Sequence, residues 1–178
     1  MPEDIDIEKF IRDNDIKVYE LSKQIPRIDD VTLIVIKGHL VVERCLFEIL
    51  QKNMHNHKYL EDARLSFAQL LNLVQAISKM PPHENTFNDI KRLNRLRNHL
   101  AHNLPNENTD KLIDEFIDYA GVRSDDHTSR AQKVWDQIYS MLGAISILIS
   151  VSELVSSKAS KSDLMNLRDV LRKIVSEK

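Results

Sequence analysis

A chain of 178 residues, 42% apolar and 29% charged, is long enough to bury one core and has the composition of an ordinary globular protein. Its three glycines, five prolines and single cysteine exclude glycine-rich phosphate loops, an internal disulfide and a cysteine-based zinc site, and they predict long helices with few connections. A formal charge of −2 excludes bulk attraction to nucleic acid, so any such binding has to come from a local patch.

The opening MPEDIDIEKF is acidic and lacks a basic-then-apolar leader pattern, which points to a cytoplasmic chain. Over 5–24 the apolar positions Ile7, Phe10, Ile11, Ile16, Val18, Tyr19 and Leu21 predict two short helices broken at RDND. IPRIDD then interrupts the chain, with Asp29 or Asp30 as a cap for a helix over 30–54. The β-branched run at 31–36 is too continuous with Leu40, Val41, Phe47, Ile49 and Leu50 to be a strand. Gly38 in the middle of that helix costs about 1 kcal/mol relative to Ala and implies close approach of a neighbouring helix.

HNHK at 55–58 is a polar connector, and Leu60, Ala63, Phe67, Leu70, Leu71, Val74 and Ile77 predict a helix over 59–80. Pro81 and Pro82 end it, because proline cannot continue a helix. Asn85 is the expected cap of a helix over 86–103; a short helix near 110–120, a loop at 121–129 and a long helix over 129–158 follow. The stretch MLGAISILISVSELV at 141–155 contains three serines and a glutamate, too polar and short for a membrane span, and reads as a buried helix. Leu164, Leu167, Val170, Leu171 and Ile174 predict a last short helix in the tail. The expected architecture is all-α: one helical domain over 1–178, with a four-helix core over 30–158, an N-terminal helical extension over 1–29 and a C-terminal helix or tail over 159–178.

Function is sought in RLNRLRNHLAHN, residues 92–103. On a wheel at about 100° per residue, Ile90, Leu93, Leu96 and Leu100 form an apolar stripe, and Arg92, Arg95, His99 and His102 a polar one. A solvated basic face is the plain reading of such a stripe. The preference for Arg over Lys points further, because a guanidinium offers a planar fork of donors to phosphate oxygens. Histidine adds a proton carrier near neutral pH. Arg97 lies about 140° around the wheel from His102, on the border of the apolar face, so the two meet only through a long side chain or a second copy.

RNHLAH, Arg97 to His102, resembles the Arg-polar-x-x-x-His signature of the HEPN superfamily, and its place late in a strand-free bundle fits that likeness. The resemblance implies a homodimer in which motif residues of two chains line one cleft. It further implies a metal- and cofactor-free endoribonuclease of the toxin or phage-defence kind, with an antitoxin or other regulatory protein as partner. Arg97, Asn98 and His102 then carry catalysis, Arg92, Arg95 and His99 hold the RNA backbone, and Glu43 is a polar support. RNHLAH followed by MLGAISILISVSELVSSKAS is also similar to the mannitol operon repressor family, helical proteins for which a regulatory, non-catalytic role is implied. A nucleotide-binding module on the same basic stripe is a third reading.

Other groupings carry plainer readings. His55 and His57 lack further ligands at metal spacing, HENTFND at 83–89 is not H-E-x-x-H, and His39 with Glu43 is an i,i+4 pair without two more ligands. Serines 146, 150, 152, 156 and 157 are explained by bonding back to helix carbonyls. Trp135 is expected in the core or at a dimer seam, and Val151, Leu154 and Val155 in the core or a dimer interface.

Overall fold

The computed structural model describes residues 6–78, 84–104, 106–118 and 128–156. Among them the chain forms six α-helices and a 3-10 turn, and no strand: α1 Ile7–Ser22, α2 Val31–Asn53, the turn His57–Tyr59, α3 Phe67–Ile77, α4 Glu84–His102, α5 Glu107–Ile117 and α6 Arg130–Ser156. The all-α expectation holds. The tail helix expected over 159–178 lies outside the described residues.

Caps set where these helices start. Asp6 Oδ1 accepts from Lys9 N and Asp30 Oδ1 from Leu33 N, so each carboxylate takes up a backbone N–H that the first turn leaves without a partner. Ser66 with Gln69 and Asn106 with Thr109 form capping boxes on α3 and α5. Ser129 Oγ accepts from Gln132 N at the start of α6.

Three helix boundaries differ from the sequence reading. The expected break at RDND is absent, because Asn14 turns inward: its Nδ2 donates to Phe10 O at 2.8 Å and its Oδ1 accepts from Ser150 Oγ at 3.0 Å. The helix expected over 59–80 is only Phe67–Ile77. Arg64 stands at φ 45°, a left-handed setting that an α-helix cannot include, and Ser66 supplies the cap two residues later. Asn85 is inside α4 rather than capping it, since Glu84 is already helical.

Side-chain pairs give the directions. Gly38 lies against Ile138, and Asn53 Nδ2 donates to Ser152 Oγ at 2.8 Å, so α2 and α6 run side by side in the same sense. α1 runs opposite to α6, with Asn14 at Ser150 and Trp135 Nε1 reaching Ile25 O at 3.5 Å. α4 and α5 are antiparallel, with His99 at Thr109 and Arg95 at Glu115. The core joins Val35, Val42 and Leu46 of α2, Ile90 and Leu93 of α4, Phe116 of α5 and Ile138, Leu142 and Ile145 of α6. Val18 and Leu21 of α1 enter it as well, so the N-terminal helix is part of the core and not an extension. By length and composition Arg130–Leu154 is apolar enough to cross a membrane, longer than the stretch read from the sequence, but 61% of its most apolar 18-residue window is buried inside the bundle. Burial between helices accounts for its apolarity as it does for any core helix.

Candidate functional site

α4 carries the motif because its first turns are anchored. Ile90, Leu93 and Leu96 are buried to 1% exposure or less, matching the apolar stripe, while Leu100 is only half-buried. The core gives out over the last turn. There Arg97 is half-buried, and Asn98 and His102 are exposed. Arg97 Nη1 donates to Asn98 Oδ1 at 2.9 Å. That bond leaves the other guanidinium N–H groups to point elsewhere, in a fork suited to phosphate oxygens. Among the described residues His102 has no hydrogen-bond partner, and the residue is exposed to solvent.

The rest of the basic stripe has other work. Arg95 Nη1 lies 3.3 Å from Glu115 Oε2, and Arg92 Nη1 lies 3.3 Å from Asp89 Oδ1. His99 Nε2 meets Thr109 Oγ1 at 2.8 Å, tying the end of α4 to the capping box of α5. Three of the four stripe residues therefore have protein partners, Arg95 on the exposed surface and Arg92 and His99 half-buried. Asp89 is 8% exposed, and burial raises its carboxyl above the ordinary range against the pull of Arg92.

Glu43 is half-buried on α2, two helices from the motif in sequence. It lines a groove of about 470 Å³ with Leu40, Phe47, Leu60, Arg64 and Leu70. Its carboxylate also acts on His39, one turn back on α2, as does the Arg97 guanidinium from α4. His39, paired in the sequence only with Glu43, and Asn94, given no role within RLNRLRNHLAHN, are polar residues of neighbouring helices. They hydrogen-bond at 3.0 Å between α2 and α4. The signal in the sequence was a lone histidine inside the apolar run of α2, which a half-buried helix has no reason to hold unless it has a partner.

Other reactive groups are built into the packing. Burial pushes the Cys45 thiol up to about 11, which keeps it protonated and poorly nucleophilic. Ser146 and Ser152 donate to Gly143 O and Leu148 O, the back-bonding expected of them. Trp135 is 5% exposed under the Arg27 guanidinium, 4.0 Å from its ring centre, and stacks on Tyr139. Among the described residues no group of three or more His, Cys, Asp or Glu gathers.

Arg97 and Asn98 are thus brought together, and His102 follows one turn after Asn98, about 140° around the helix from Arg97. No family model, curated protein or solved structure matches the chain.

Proposed function

We propose that the protein is a metal-independent endoribonuclease of the HEPN type, working as a homodimer in the cytoplasm in the manner of a toxin or defence effector. The observation that supports this reading is the hydrogen-bonded Arg97–Asn98 pair at the solvent end of α4, followed by the exposed and unpartnered His102. The three side chains supply what RNA cleavage needs. The RNA 2′-OH attacks the adjacent phosphorus, and His102 handles a proton, as base toward the 2′-OH or as acid toward the departing 5′-oxygen. Arg97 stabilises the charge gathering on the phosphate oxygens, and Asn98 holds the guanidinium in place. The P–O5′ bond breaks, leaving a 2′,3′-cyclic phosphate and a 5′-OH. DNA, which has no 2′-OH, is not a substrate. Two chains meeting about a two-fold axis place Arg97 of one beside His102 of the other, which a single helix does not do.

A second reading has its own support. Arg92 and His99 are half-buried and paired with Asp89 and Thr109, and exposed Arg95 is paired with Glu115, so each stripe residue but His102 already has a partner competing with an RNA backbone. That arrangement fits a non-catalytic regulator, resembling the mannitol operon repressor, that binds a protein partner. The deciding experiment is cleavage of single-stranded RNA in EDTA by the wild-type chain and by Arg97→Ala and His102→Ala. Loss of cleavage in both variants is the expected result. Equal cleavage in all three indicates a contaminating nuclease, and no cleavage by any favours the regulator.

A further inference from the structure

His39 is 2% exposed, in the middle of α2. Its Nε2 lies 3.0 Å from Asn94 Oδ1. An amide oxygen only accepts, so Nε2 carries the ring proton and Nδ1 keeps a lone pair. That Nδ1 is buried with no hydrogen-bond partner. A buried polar atom left unpaired in a packed interior is costly and calls for a reason. The surroundings of the ring are few. From α3 the uncharged Phe67 ring packs on it at 4.2 Å. Its own helix supplies the Glu43 carboxylate, and α4 supplies Asn94 and the Arg97 guanidinium.

Asn94 precedes Arg97 by three residues and Asn98 by four, so all three share one face of α4. Apolar contacts between helices tolerate small rotations, whereas one directed hydrogen bond does not. We propose that His39 is a positioning residue for the Arg97–Asn98 pair: as a neutral Nε2–H donor to Asn94 it sets the rotation of α4 on α2. The consequence for catalysis rests on the ribonuclease reading. A proton added at Nδ1 makes a buried donor with no acceptor, close enough to Arg97 to feel its charge. Burial, aided by Arg97 and opposed by the Asn94 bond and Glu43, holds the ring below the ordinary imidazole range, so the neutral donor is the resting form at pH 7.

The test uses the full chain labelled with ¹⁵N. Long-range ¹H–¹⁵N spectra are expected to show His39 as the Nε2–H tautomer, taking up its second proton below the ordinary imidazole range. His39→Gln keeps a donor near the Nε2 position, while His39→Asn is too short to offer one. The Gln variant is expected to leave the Arg97 Nε–H and Asn98 amide resonances in place and to keep RNA cleavage within a few-fold of wild type at pH 7.5. The Asn variant is expected to shift both resonances and to lower cleavage at least tenfold at pH 7.5. Asn94→Asp, which keeps the acceptor and adds a negative charge, is expected to move the His39 titration upward, and it decides the matter if the Asn variant does not fold. An Nδ1–H tautomer, identical resonances in the Gln and Asn variants, or an unmoved titration in Asn94→Asp overturns the proposal. A wild-type chain that shows the expected resonances but cleaves no RNA removes the ribonuclease reading and leaves the positioning role standing.

Discussion

Ile138 occupies the space a side chain at position 38 would need: a Cβ on Gly38 falls 2.6 Å from Ile138 Cδ1 and 3.1 Å from Cγ2. Gly38→Ala gains about 1 kcal/mol of helix propensity but adds a methyl group to a packed seam, at a cost of roughly 1–3 kcal/mol. Ile138 is fully buried and has little room to retreat. Packing is therefore expected to win, and the urea midpoint of Gly38→Ala to fall by the equivalent of about 1 kcal/mol. Ile138→Val removes the Cδ1 atom, so the double variant should lose less than the two single losses added. A rise in the midpoint for Gly38→Ala alone would show that the helices are not in close contact here.

Asn14 links α1 to α6 through Ser150. Asn14→Ala removes a buried amide that also bonds Phe10 O and leaves Ser150 without its acceptor; it is expected to cost about 1–2 kcal/mol. Ser150→Ala is expected to cost less, and the pair to be coupled by about 1 kcal/mol in a double-mutant cycle. Strictly additive losses in urea unfolding would mean that the bond does not hold α1 on the bundle.

These two contacts mark what could be read from sequence and what could not. Gly38 announced a close helix neighbour because a glycine weakens a long apolar helix unless its missing side chain lets another helix approach, although no local rule named Ile138 as that neighbour. The cap of α2 was legible by chemistry as Asp29 or Asp30, and the bond from Leu33 N selects Asp30. RDND misled because three charged or polar residues surround Asn14, and only the distant Ser150 makes that position buried. Position 64 misled in the opposite way, since an arginine in a left-handed setting has no local signature. The motif residues Arg97, Asn98 and His102 were legible as a pattern. The engagement of Arg92, Arg95 and His99 was not, because it depends on Asp89, Glu115 and Thr109, partners that a helical wheel of 92–103 does not contain.

The two histidines near the end of α4 should separate cleanly. His99 bonds Thr109, which is 5% exposed, so His99→Ala is expected to lower stability by about 1 kcal/mol and to change RNA cleavage only a few-fold. His102 is exposed and makes no bond to lose. His102→Ala is expected to stay within about 0.5 kcal/mol of wild type and to lose cleavage by roughly 10²–10⁴-fold. Thermal melts and single-turnover cleavage on the same preparations check both. The reverse pattern would make His99 the proton carrier.

Stability should also depend on pH through His39. In the unfolded chain an imidazole takes up its proton near about pH 6.5, and in the folded chain burial holds His39 lower. Below that pH the unfolded state binds the extra proton first. The stabilising contribution is therefore complete above about pH 6.5 and declines as the pH falls, until the folded ring is protonated as well. His39→Gln does not titrate and is expected to flatten that part of the profile. Urea midpoints at pH 7.5, 6.5 and 5.5 for both chains make the comparison. A wild-type slope unchanged by His39→Gln would assign the acid sensitivity to other groups.

Arg97 and His102 lie about 140° apart on one helix, which makes the proposed site a matter of two chains and gives it a sharp test. Arg97→Ala chains retain His102, and His102→Ala chains retain Arg97. In a mixed dimer, one of the two sites then holds an intact Arg97 from one chain and an intact His102 from the other, while its twin site has lost both. Random pairing makes half of the dimers mixed, so unfolding and refolding the two inactive variants together should restore about a quarter of wild-type cleavage if each site draws on both chains. A site assembled within a single chain predicts no recovery, since every such site lacks one of the two groups. Light scattering on the same mixture confirms that dimers are present. Recovery absent from a mixture that does contain mixed dimers would place Arg97 and His102 of one chain in the same site, or remove the enzyme reading altogether if the wild type is inactive too.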